Sequence, residues 1–304
     1  MLIRVLLFLL TAVLHVTASA APRVDILIPA DNAALGELAG SIQQSLRQLQ
    51  PDLEIAIRTP VTVAGAASQQ QKTLAIAVGE ELLPWAQSNQ NTYQATLAFY
   101  VGSIQFDPSD RSGKISALYR DQPLQRQLAL AKLLLPNLRR AAVLYSGEQI
   151  PPELAALAQL TQTSIQAVSI HNDSNWPRLL SQLMVDNDIL LGLDDPGVYN
   201  RDTIRSILLT TYRRGKFLIG PNRPFVNAGS LASTYTTSEQ YLQQLRAMVR
   251  VWLQQGKLPP PEYPRFYRIA INQQVASSLG LKLPDEKTLY EQMPNQIGEC
   301  GDGC

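Results

Sequence analysis

The chain has 304 residues, 45% of them hydrophobic, with 26 basic and 25 acidic side chains. That near neutrality excludes the basic stripe with which nucleic-acid binders displace counterions, so no nucleic-acid partner is expected. Two histidines and two cysteines in all leave little material for transition-metal or histidine-based chemistry.

Residues 1–20 read as a cleaved leader: Arg4, an apolar run over 5–13 and then "ASA" at 18–20. The run is too short and wrongly flanked for a stable membrane span, and the product is expected in the periplasm of a Gram-negative cell. No cysteine lies near the cleavage point, so no lipid anchor is implied. Without Arg4 the 26 basic residues become 25, matching the 25 acidic ones. The 284 residues left after removing 20 from 304 are enough for two hydrophobic cores.

In chain order, "VDILI" at 24–28 reads as a buried strand, followed by a helix whose Leu35, Leu38, Ile42, Leu46 and Leu49 recur at helical spacing. "LEIAI" at 53–57, "TLAIAV" at 73–78 and "ATLAFYV" at 95–101 are continuous apolar runs. Such runs suit parallel strands covered on both faces. After "KISALY" at 114–119 comes a second set. A helix through Leu124, Leu128, Ala131 and Leu135 stops at Pro136 and leads into "RAAVLY" at 140–145. There follow a helix opened by Pro151-Pro152, "IQAVSI" at 165–170, a helix over 176–185, "DILLGL" at 188–193, a helix over 201–212 and "KFLIG" at 216–220. Strand alternating with helix at this spacing predicts an α/β fold with doubly wound parallel sheets, and two sets predict two lobes. A long helix over 238–255 ends at Gly256, and the proline-rich "KLPPPEYPRFYRIAIN" reads as a stiff crossing between lobes that resumes a strand.

Chemistry is limited by scarcity. His15 leaves with the leader, so a Ser-His-Asp or Cys-His arrangement would have to use His171, which sits in a loop after a strand. The chain contains no GxSxG elbow, GxGxxG loop or Walker-type phosphate loop. Cys300 and Cys304, in the terminal "GECGDGC", cannot complete a tetrahedral zinc site. In an oxidising compartment they are expected to close a small disulfide loop, with free thiols or an intermolecular bridge as the alternatives. No cofactor, no metal and no catalytic residue is implied.

Ligands of doubly wound sheets bind beyond the carboxyl ends of the strands. Asp194 and Asp195, in "LLGLDDPGVYN", stand there after an apolar run. One of them could merely shape the Pro-Gly turn, or Asp194 could accept from a cationic or hydrogen-bond-donating ligand group; adjacent carboxylates do not flank a substrate as glycoside chemistry needs. The other strand ends offer Asp31 and Asn32, Gly79 and Glu80, Tyr145 and Ser146, and Asn222 and Arg223. With Tyr235 these make the expected ligand-binding rim, although turns favour the same residue types.

From about 113 to 284 the order of signals resembles one family, the periplasmic solute-binding proteins of ABC importers, in the subgroup that includes tryptophan and tyrosine binders. The resemblance is carried by "LQRQLALAKLLLPNLRRAAVLYS", "DILLGLDDPGVYNRDTI", "KFLIGPNRPFVNAGSLAS" and "INQQVASSLGLKLP". It implies a type I periplasmic binding protein, a non-enzyme with two lobes joined by three crossovers and closing on a small solute. The expected division is 21–117 with 236–260 for the first lobe, 118–235 with 261–287 for the second, and a flexible tail over 288–304. The implied partners are a small molecule, an amino-acid-like one among the options, and an ABC permease or a membrane sensor, and the implied state is a monomer. A sensory or accessory member signalling to a membrane receptor or kinase is the alternative. The family's pocket "DN" becomes Asp194-Asp195 here, its "GT" after the third strand becomes Gly79-Glu80, and the stretch between 57 and 73 is short.

Overall fold

A computed structural model describes residues 21–30, 32–60, 72–88, 92–107, 113–171 and 175–294. The leader, Asp31, most of the short stretch after 57 and the two cysteines lie outside the described residues.

The first sheet holds β1 (Arg23–Leu27), β2 (Glu54–Arg58), β3 (Thr73–Val78), β4 (Ala95–Val101) and β5 (Ile115–Tyr119), all parallel, in the order β2-β1-β3-β4-β5. Its faces differ. Leu74, Ile76 and Val78 of β3 join Ile42 and Leu46 of α1 (Ala33–Leu49) and Leu245, Val249 and Trp252 of α8 (Ser238–Gln255) in one core. The alternate residues Ala75 and Ala77, with Ala98 and Ala117, pack against Leu83 and Ala86 of the short α2 (Leu83–Ser88). A strand with bulk on one side and alanine on the other lets a thick helix layer and a thin one cover the same sheet. β2 departs from the both-faces expectation: it is the edge strand, and none of its residues is fully buried.

The second sheet holds β6 (Arg140–Tyr145), β7 (Ser164–Ser169), β8 (Ile189–Leu191), β9 (Phe217–Ile219), β10 (Ala232–Tyr235) and β11 (Arg268–Ile271), in the order β11-β10-β9-β8-β6-β7. All pairs are parallel except β10 with β11. Around it lie α3 (Leu124–Leu134), α4 (Pro152–Leu160), α5 (Trp176–Asp186), α6 (Ile204–Arg213), α7 (Arg223–Ala228), α9 (Gln273–Ser278) and α10 (Glu286–Gln292). The two sheets with their helices are the expected pair of α/β lobes.

Three segments pass between the sheets: 120–123, 236–237 and 256–267. They are stitched side by side. Gln122 donates to Thr236 at 3.0 Å, Arg126 donates to Gln122 at 2.6 Å and to the Pro264 carbonyl at 2.9 Å, and Thr236 donates to the Phe266 carbonyl at 2.7 Å. The proline-rich segment also zips onto the edge of β5, where Tyr119 N–H donates to Glu262 O and Glu262 N–H to Ala117 O, both at 3.0 Å.

Helix α8 has the anticipated ends because its signals are local: a Thr237–Gln240 capping box and Gly256 at φ +71°. Other boundaries moved. The helix expected from 201 starts at Ile204, because Asn200 Oδ1 accepts from the Asp202 and Thr203 N–H groups and holds a turn ahead of it. The flexible tail expected from 288 is corrected: α10 continues to Gln292, its N-cap Asp285 accepts from Thr288 N–H at 2.7 Å, and Leu289 is fully buried against the second sheet's core.

Candidate functional site

Both sheets reverse their order beside a central strand, the first at β1 and the second at β6, and two of the three crossings leave from the carboxyl ends of β5 and β10. A cavity of about 400 Å³ lies between the lobes at this level. Tyr100, Arg120 and Tyr241 wall it from the first lobe, Asp194, Asn222 and Arg223 from the second, and Tyr235 to Ser238 run along the crossing.

Arg120 organises the wall. Its Nη2 donates to Glu80 at 2.6 Å and its Nε to Asp194 at 2.7 Å, so one guanidinium joins a carboxylate of each lobe. It also lies 5.9 Å from the Tyr100 ring centroid. The Tyr241 hydroxyl donates to the Arg120 carbonyl, and Tyr241 meets Tyr100 edge-on at 5.4 Å. Tyr100 reaches this position through a bulge in β4, where its φ is +62°. Gly79 aims Glu80: its φ is +91°, and a Cβ there would stand 3.0 Å from Leu35 of α1.

Burial raises the Asp194 carboxyl above its ordinary value, against the opposing pull of Arg120. Asp121, also on the wall, is pushed up to about 7 by burial, although Ser103 N–H and Oγ donate to it at 2.8 and 2.5 Å. Among the described residues no acidic or histidine cluster could hold a metal ion.

Of the residues expected at the rim, Asp194, Asn222, Arg223 and Tyr235 line the cavity, and Glu80 reaches it through Arg120. The other described ones serve the scaffold. Asn32 caps α1 by accepting from Leu35 N–H at 3.1 Å. Asp195 shapes its own turn: it accepts from Ser146 N–H and Oγ at 2.7 and 2.8 Å and from Gly197 N–H at 2.9 Å. A side chain on Gly197 would collide with Ser146, so that pair occupies its own space. Tyr145 is buried in the second core. His171 is an exposed neighbour of Ser146 and Glu148, outside the cavity. Arg120, Asp121 and Gln122 escaped the sequence reading, yet "LYRDQP" follows an apolar strand just as "GLDDPG" does. That shared signal could have found them. Tyr100 and Tyr241 carried no such mark, since both sit inside regular apolar patterns.

No family model matches the sequence, and no curated protein matches it. Solved structures do. A ligand-free, open substrate-binding protein with adhesive properties from Clostridium difficile superposes with TM-score 0.67 at 16% identity, over 88% of this chain and 97% of that one. An ABC domain in complex with L-Trp from Streptococcus pneumonia gives 0.58 at 15%, over 90% and 98%. A xylose-binding transcription activator gives 0.53 at 14%, over 89% and 74%. At these identities the likeness establishes the fold: two α/β lobes in the type I periplasmic binding protein arrangement.

Proposed function

We propose that the chain is an exported, non-enzymatic solute-binding protein that captures a small molecule between its lobes and presents it to an ABC importer from the periplasm. The observation that carries this reading is the 400 Å³ cavity walled by both lobes above three cross-linked chain crossings. Pockets of about 300–1,000 Å³ with a few convergent polar groups suit metabolites, and the mixture here of tyrosine rings with both charge signs suits an amino-acid-like solute. A small solute that touches both lobes at once stabilises the closed arrangement, and the closed shape is what a permease can recognise. Among the described residues that line the cavity, the acids Asp194 and Asp121 are engaged by Arg120 and Ser103. The leader-like segment at 1–20 and the fold it precedes both favour export.

A second reading is a sensory or accessory binder that signals to a membrane receptor or kinase; the same fold occurs in a xylose-binding transcription activator. Permease and ATPase genes beside this one favour import, and a sensor gene favours signalling. Binding itself is tested by thermal shift and calorimetry with a library of amino acids, hydroxy acids, sugars and purines. Stabilisation by at least one compound, lost on Tyr235→Ala, is expected; silence across the library contradicts the reading.

A further inference from the structure

The charges of the cavity are unequally engaged. Asp194 already faces Arg120, whose fork is held from the other side by Glu80. Both oxygens of Asp121 are taken by Ser103. Arg223 is different: it is exposed on the cavity wall, stacked 5.1 Å above the Tyr235 ring, with no carboxylate or carbonyl partner among the described residues. A guanidinium with its fork free matches a carboxylate in two parallel hydrogen bonds.

On the solute-binding reading, we propose that the cavity selects a small organic acid by its carboxylate, paired with Arg223. Arg120 is the resident counter-ion of Asp194, so a positive charge on the solute is not required. An amine without a carboxylate would have to displace Arg120 from two carboxylates and would leave Arg223 unmatched. Tyr100 and Tyr235 line the same cavity.

Matched probes decide this by calorimetry at neutral pH: 3-phenyllactate, L-phenylalanine and phenethylamine, and 2-hydroxyisocaproate, L-leucine and isopentylamine. In at least one series the hydroxy acid binds within about tenfold of the amino acid, and the amine is weaker than both by more than about tenfold. Arg223→Gln, at an exposed position, keeps the melting temperature and weakens both acids by more than about tenfold. Three results would overturn the proposal while leaving solute binding intact: an amine that binds as tightly as the acids, a hydroxy acid more than about tenfold weaker than its amino acid, or acid affinities untouched by Arg223→Gln. Silence of all six probes also overturns it, and the wider library then decides whether the cleft binds anything.

Discussion

Two ionisable groups at the crossings, the buried Asp121 and the half-buried Arg120, set measurable stabilities. Asp121 holds its proton to about pH 7 in the fold, against an ordinary value of 3.8, because burial outweighs the two Ser103 hydrogen bonds and because Asp194 and Glu153 repel its charge. The native form binds the proton more tightly than the unfolded chain. Its contribution is therefore fully present below about pH 4 and is lost as pH rises to about 7, a swing of about 4 kcal/mol at most. Asp121→Asn removes that slope: relative to wild type, the melting temperature should rise at pH 8 and change little at pH 4. Equal shifts at both pH values would contradict the assignment. Arg120→Gln does the reverse, leaving Glu80 and Asp194 without their shared cation, and should cost about 2–3 kcal/mol in chemical denaturation. Because the Arg120 pair with Asp194 spans the lobes, a double-mutant cycle with Asp194→Asn should return a coupling above about 1 kcal/mol.

Elements whose limits are written locally were legible. The α8 cap box and terminal glycine fix that helix from both ends, and unbroken apolar runs mark β3, β4 and β6. Elements that exist through tertiary contact were not. β10 is a four-residue strand held between β9 and β11, and α10 has few apolar residues, of which Leu289 alone is fully buried within the helix. Leu289→Ala should cost about 2–4 kcal/mol by urea denaturation, whereas a mobile tail would lose nothing. The site was legible by the same logic. Asp194 and Arg223 stand at strand ends that turn signals announce; Asp195 carries the identical signal but spends its oxygens on Ser146 and Gly197, a choice made by three-dimensional neighbours. β1 hides a further case: Asp25 is fully buried in an apolar run and held by Arg23, Arg58 and Tyr93, partners scattered over 70 positions from 23 to 93.

At the scale of the molecule, the described chain passes between the two sheets at 120–123, 236–237 and 256–267, and Arg120 meets Asp194 across the cleft beside those crossings. Hinge motion about so narrow a waist changes the cavity's width while each core stays packed. The direct measurement is an electron–electron distance between spin labels at the exposed Glu81, in the short 3-10 turn after β3, and Arg201, in the loop after β8, in a Cys300→Ser/Cys304→Ser background. Titration with the compound that stabilises the protein most should shorten the distance by more than about 2 Å and sharpen its distribution. A distribution unchanged by every compound tried would contradict lobe closure over a solute.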